Sequence, residues 1–124
     1  MRIDKNDIPV VMAVPGATAR QVVAGGDLAA EYFTLAAGTD IAPLLQGLEH
    51  DACQAAHWGY VIAGRLVVTY TDGEPERCTT GDCFYWPAGH SVRVEQDAEV
   101  ILFSPHHAHA AVIDHMKAKL AATA

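Results

Sequence analysis

Turn-forming residues recur about every eight to twelve residues through the first hundred positions, and this rhythm limits the fold more than any other feature of the chain. Between the turns lie short runs of β-forming residues, at 30–36, 57–63, 65–71, 82–87, 91–95 and 99–104. Helical periodicity is weak over the same stretch. Short, evenly spaced strands are typical of a sandwich or barrel, so we predict an all-β fold.

The C-terminal stretch has a different character. Residues 110–124 are mostly strong helix formers, and their larger apolar residues are spaced so as to form one stripe on a helix. We predict a short C-terminal helix there, packed against the barrel or reaching a partner subunit. Residues 1–28 are predicted to form an arm with edge strands, and 29–105 the barrel. A chain of 124 residues has room for a single domain core.

Composition narrows the partners and the compartment. Eight Lys and Arg against 15 Asp and Glu give a net charge of −7, which argues against binding nucleic acid or an anionic membrane surface. No apolar run approaches the roughly 20 residues of a membrane span, and residues 1–11 carry acids and Pro where a signal peptide would need an apolar stretch. Three cysteines are too few, and odd in number, for a disulfide framework. We therefore expect a cytoplasmic protein with no nucleic-acid or membrane partner.

Donor residues for a metal ion cluster in the middle of the chain. Asp51 and Cys53 are two residues apart, so on an extended chain their side chains face the same side. His57 would lie about 13 Å from Cys53 on a straight strand. Residues 54–56 must therefore turn if the three donors converge. Thiolate and imidazole donors suit soft or borderline metal ions.

The segment from His57 to Gly89 resembles the cupins. Their second motif, a Gly, five residues and Pro-x-Gly, is matched in full by residues 81–89, GDCFYWPAG. Their first motif is matched by position only. It ends at Gly64, and counting back from there places His57 at the position of its Glu.

Counting three residues further back places Cys53 at the second His position of that motif and Asp51 at the first. The motif also allows a count of four, which would place His50 at the first position and Ala52 at the second. The last metal ligand of the family would fall on Val92, which cannot bind metal. We expect His90, on the same face of the strand, to replace it.

The resemblance implies a double-stranded β-helix, or jelly-roll barrel, with a metal ion in one pocket. The implied ligands are Cys53, His57 and His90, with Asp51 as a fourth. Such donors suit zinc best, and iron, nickel or copper are alternatives. A small, partly apolar organic molecule would lie against pocket walls formed by Tyr60, Trp86, Val92 and Phe103.

The fold does not decide what happens in that pocket. One hypothesis is a metal-dependent enzyme, and the other is a non-catalytic module that binds or senses a small molecule. Since small cupins commonly dimerise, a homodimer is expected. His106, His107 and His109 follow the last strand, and we interpret them as a solvent-facing linker without metal.

Overall fold

The computed structural model describes residues 1–122, which form seven strands and two helices. The helices are α1 (Ala42–Leu45) and α2 (His106–Ala122), and 3₁₀ turns cover Lys5–Asp7 and Glu49–Asp51. The all-β prediction with a C-terminal helix is confirmed. The strands are β1 (Val10–Val14), β2 (Ala17–Gly25), β3 (Leu28–Leu35), β4 (His57–Tyr70), β5 (Glu76–Thr79), β6 (Cys83–Trp86) and β7 (His90–Pro105).

All strand pairs are antiparallel. The strands follow the order β1-β2-β3-β7-β4-β5, and β6 pairs with β4 beside β5. The second half of β7 pairs with β3, while most of its length pairs with β4. The β4–β7 register shifts at several points between Val61 and Leu66. Such irregularities bend long strands, and here they allow the sheet to curl into a jelly-roll barrel.

Two glycines allow β4 and β7 to approach closely. A Cβ at Gly59 would lie 2.3 Å from the carbonyl oxygen of Ile101. One at Gly64 would lie 2.2 Å from the carbonyl oxygen of Asp97, and Gly64 also has a φ of +100°. A side chain at either position would push the two strands apart.

Alternate residues of the long strands fill the barrel. Burying a valine or leucine side chain contributes about 1.5–3 kcal/mol relative to leaving it exposed. The inward side chains therefore specify which face of each strand points inside. These inward side chains form one buried hydrophobic cluster, which comprises Val61, Leu66, Val68, Cys78, Trp86, Val92, Val94, Ala98, Val100 and Leu102.

Helix α2 covers one end of the barrel. Its Val112 and Met116 belong to a second buried cluster, with Leu45 of α1, Cys53 and Ala55. The helix begins at His106, whose backbone N–H donates to the carbonyl oxygen of Asp27 at 2.6 Å. It therefore starts four residues before the predicted position 110. Residues 123–124 of the predicted helix lie outside the described residues. Within 1–122, no helix is long and apolar enough to cross a membrane.

Candidate metal centre

Cys53 is fixed beside β7 by backbone hydrogen bonds. Its N–H donates to the carbonyl oxygen of His90 at 2.8 Å, and its own carbonyl oxygen accepts from the N–H of Gly89 at 2.7 Å. The chain then turns before β4, so that Cys53 Sγ lies 3.7 Å from Nε2 of His57. The turn that convergence requires at residues 54–56 is therefore present.

The third donor comes from the first turn of α2. One ring nitrogen of His109, one of His57 and Cys53 Sγ all lie within 4.8 Å of one another. The side chains of all three residues are buried, and the two imidazole rings have centroids 4.3 Å apart. This corrects the interpretation of residues 106–109 as a solvent-facing linker. His107 is exposed, but His109 is buried because α2 begins early enough to turn it into the barrel.

A buried carboxylate joins the two imidazoles. Glu31 of β3 has no solvent exposure, and its side chain accepts hydrogen bonds from Ser104 Oγ and His109 Nδ1. Gln21 Nε2 donates to the same carboxylate at 2.8 Å. Ser104 Oγ in turn lies 2.6 Å from His57 Nδ1. Glu31 therefore holds His109 directly and His57 through Ser104.

This network decides which nitrogen of each ring faces the thiol. A carboxylate oxygen accepts, so the hydrogen bond to Glu31 is satisfied by the His109 tautomer that has its N–H at Nδ1. The hydroxyl of Ser104 donates its hydrogen to Glu31. The Ser104 oxygen is therefore free to accept a hydrogen bond from Nδ1–H of His57. In a neutral ring the Nε2 atom then carries the free lone pair. Histidine ligands of metal ions are typically held in this way, by a second hydrogen bond from the other ring nitrogen.

Burial sets the protonation states around the thiol. It lowers the pKa of His57 well below its usual value, and the neighbouring His109 and His90 add to that effect. Burial also lowers the pKa of His90 to about 4 and raises the pKa of Cys53 to about 12. Near neutral pH, His57 and His90 are therefore neutral, and Cys53 is a thiol unless a cation is bound. Neutral imidazole is the metal-binding form of histidine.

A cavity of about 110 Å³ adjoins these donors. Most of its wall is apolar and comes from β1, β2, β3, α1 and α2. Trp86 and Val92, predicted as pocket residues, lie on this wall. Four polar side chains of the lining lie together, namely Cys53, His57, His90 and His109. The lining also includes Thr18, Thr39 and Asp40.

His90 borders the group of three donors rather than joining it. Its ring lies against the ring of His57, with centroids 4.8 Å apart, and its Nδ1 is 2.7 Å from the carbonyl oxygen of Pro87. In the three-donor cluster, His109 takes the place that the sequence interpretation gave to His90.

Four other residues that the sequence analysis considered for the site lie on the surface. Asp51 is exposed, its carboxylate accepts from the N–H of Gly47 at 2.9 Å, and it lies outside the three-donor group. His50, the alternative to Asp51, lies in the same exposed turn. Tyr60 and Phe103 point out of the barrel, with exposed fractions of 45% and 40%, and neither lines the cavity. Since His57 and Ser104 point inward, strand alternation turns Tyr60 and Phe103 outward.

Two residues of the centre were missed in the sequence, although each carried a signal. His109, Val112, Ile113 and Met116 have the i, i+3, i+4 and i+7 spacing of one helix face, and all four are buried. Glu31 alternates with Phe33 along a β-forming run, so it lies on the inward face of its strand. An acidic residue on such a face needs buried partners.

Comparisons with known proteins add the family and the fold. The family model described as "Cupin domain" matches residues 31–106. None of the curated proteins matches the chain. Among solved structures, an RmlC-like cupin from Shewanella frigidimarina is 18% identical, covering 83% of this chain and 88% of its own, with a TM-score of 0.59. KdgF from Halomonas sp. is 23% identical, covering 82% and 92%, with a TM-score of 0.56.

A variant of oxalate decarboxylase from Bacillus subtilis is also similar. It is 23% identical over 83% of this chain, with a TM-score of 0.64. The match spans 28% of the length of oxalate decarboxylase. At these identities the likeness shows a shared fold.

Proposed function

The chain belongs to the cupin family, and on that basis we propose that it binds a zinc ion through Cys53, His57 and His109. In the same proposal, a small and mostly apolar molecule occupies the adjoining cavity. The observation that carries the proposal is the convergence of one thiol and two imidazoles, with both Nδ1 atoms already engaged.

The donor set fits zinc in type, and the Cys53–His57 pair also fits it in spacing. Zinc is bound by Cys sulfur at about 2.3 Å and by His nitrogen at about 2.0–2.1 Å, which at a tetrahedral angle separates the two donors by about 3.6 Å. Cys53 Sγ and His57 Nε2 are 3.7 Å apart. Three protein ligands leave a fourth position open, as in catalytic zinc sites. A zinc ion there would supply a Lewis acid that polarises an oxygen atom or activates water.

The buried side chains then have defined tasks. Cys53 would hold the cation as a thiolate, and the charge of the cation would offset the cost of burying that thiolate. His57 and His109 present Nε2, and Glu31 holds both rings in that tautomer. Trp86 packs edge-on against His57, with ring centroids 6.1 Å apart, and keeps water from that side of the ring.

The cavity limits what can lie beside the ion. Its volume of about 110 Å³ is below the roughly 150 Å³ of a protein cavity that holds benzene. The ligand is therefore a molecule of few heavy atoms. Apolar walls select its body, while His90 lies beside the donors.

Binding without catalysis is the second candidate, and the acid–base equipment of the cavity favours it. Among the described residues that line the cavity, Asp40 is the one carboxylate. It is exposed, and its Oδ1 accepts from the backbone N–H of Ala42 at 3.0 Å. Asp40 is therefore not positioned to act as a general base in the cavity. The zinc centre is common to both candidates.

Metal analysis of untagged protein tests the proposal. After equilibration with zinc and removal of the excess, the wild type should retain about one zinc per chain. Cobalt in its place should give a thiolate-to-metal charge-transfer band. Cys53→Ser should lose both signals. Cys83→Ser is the matched control, because Cys83 is an exposed free thiol. This variant should leave the zinc content and the cobalt band unchanged. Zinc retained in full by Cys53→Ser would refute the proposed site.

A further inference from the structure

A row of exposed aromatic side chains crosses the outer surface of the barrel. Trp58, Tyr60, Tyr85 and Phe103, here called the outer aromatic face, have exposed fractions of 48%, 45%, 52% and 40%. Trp58 pairs with Tyr85 on β6 and with Phe103 on β7, so the row is continuous across three strands. None of these four side chains lines the cavity.

The outer aromatic face is already ordered for contact. The rings of Trp58 and Tyr85 stack, with centroids 5.2 Å apart and an interplanar angle of 23°. All four side chains stand on strands rather than on loops. Aromatic side chains on a rigid sheet lose little conformational entropy when they are covered. The face is therefore prepared for docking at low cost.

The row through Trp58 and Phe103 carries no charged side chain. The cross-strand row continues from Phe103 to Ala30 and Val22, and it contains no Lys, Arg, Asp or Glu. The chain as a whole carries a net charge of −7, so two copies repel one another wherever acidic surfaces meet. An uncharged face is where two such copies approach at the smallest electrostatic cost.

The exposed area has the size expected of a dimer centre. Aromatic side chains carry about 150–250 Å² each, so four that are about half exposed present about 400 Å². A stable interface buries about 800 Å² per partner. The outer aromatic face therefore supplies about half of one partner's share, in the central position where aromatic anchors dominate binding.

We propose that a second copy of this chain covers the outer aromatic face, as a two-fold symmetric dimer in which Trp58 of each copy is buried. In an isologous interface the same patch is used twice, and a flat apolar row can pack against itself. The expected homodimer thereby acquires a defined surface on β4, β6 and β7. It does not depend on the zinc centre, so Cys53→Ser should still dimerise.

Sedimentation and tryptophan quenching together test this interface. The chain has two tryptophans, and Trp86 is only 3% exposed, so iodide quenching of the monomer reports Trp58. The wild type should sediment as a dimer at micromolar concentration and resist iodide. Dilution should release monomers and expose Trp58 to the quencher.

Substitutions on and off the face complete the test. Phe103→Asp should weaken dimerisation by about 30-fold or more, the effect of losing an interface anchor. Tyr85→Ser is a milder second variant, to be used if Phe103→Asp fails to fold, and it should also weaken dimerisation. Val10→Asp, at a 48% exposed position on β1, should leave the dimer unchanged. A monomeric wild type with Trp58 open to iodide, or a dimer that folded Phe103→Asp leaves intact, would overturn the proposal.

Discussion

Glu31 and His109 are 78 positions apart in the chain, and they form a hydrogen bond inside the barrel. The bond joins β3 to the first turn of α2, so the helix is tied to the sheet through a buried polar contact as well as through its apolar face. The donors of the candidate metal centre therefore depend on the docking of the C-terminal helix.

His109→Ala should remove the third zinc donor. We expect zinc affinity to fall by more than about 100-fold, because losing a ligand costs more than the 10–100-fold typical of losing its hydrogen-bond partner. Competition with a chelator of known affinity measures the change. His107→Ala is the matched control, since His107 lies on the exposed side of the same helix. The zinc affinity of His90→Ala should lie between those of His109→Ala and His107→Ala. A loss of affinity as large as that of His109→Ala would make His90 a ligand.

Glu31→Gln keeps the shape of the side chain but replaces one acceptor oxygen with a donor. The new amide must face an N–H or O–H group, because Gln21, Ser104 and His109 all donate to the native carboxylate. We expect zinc affinity to fall by about 10–100-fold. The free energy of unfolding of the metal-free protein should fall by about 1–3 kcal/mol, as measured by urea unfolding.

A surface glutamate provides the control for that substitution. The side chain of Glu49 is 74% exposed, so Glu49→Gln should change neither zinc affinity nor unfolding. If Glu31→Gln bound zinc as tightly as the wild type, Glu31 would not be holding the two imidazoles for the metal.

Gly59→Ala should destabilise the barrel. Its Cβ would meet the carbonyl oxygen of Ile101 at 2.3 Å, and backbone cannot move aside as a flexible side chain can. We expect a loss of about 1–3 kcal/mol in the free energy of unfolding, the usual cost of overpacking. Gly25→Ala is the control, because nothing lies within 4 Å of a Cβ there, and it should change stability by less than about 0.5 kcal/mol. Equal losses in a urea titration would contradict this account of Gly59.

Local sequence patterns predicted the barrel well. The Gly and Pro residues of 81–89 mark the turns on either side of β6, and strand alternation from there places Trp86 and Val92 inside. These features depend on neighbours along the chain, so a single sequence reveals them. The same alternation, followed from His57, would also have placed Tyr60 outside.

The donor set was harder to predict because its parts meet only in the folded chain. Cys53 and His57 are four residues apart, while Glu31 and His109 come from opposite ends of the barrel sequence. The helical spacing from His109 to Val112 and Met116 distinguishes it from its neighbouring histidines only when the helix is extended back to include it. A four-residue error in that start was enough to turn a buried donor into a linker residue.

Helix α2 follows all seven strands, and it carries one donor of the candidate centre while the other two lie on and beside β4. Local opening of this terminal helix would therefore separate His109 from Cys53 and His57. In the proposed centre, a bound ion would link α2 to the sheet and oppose that opening.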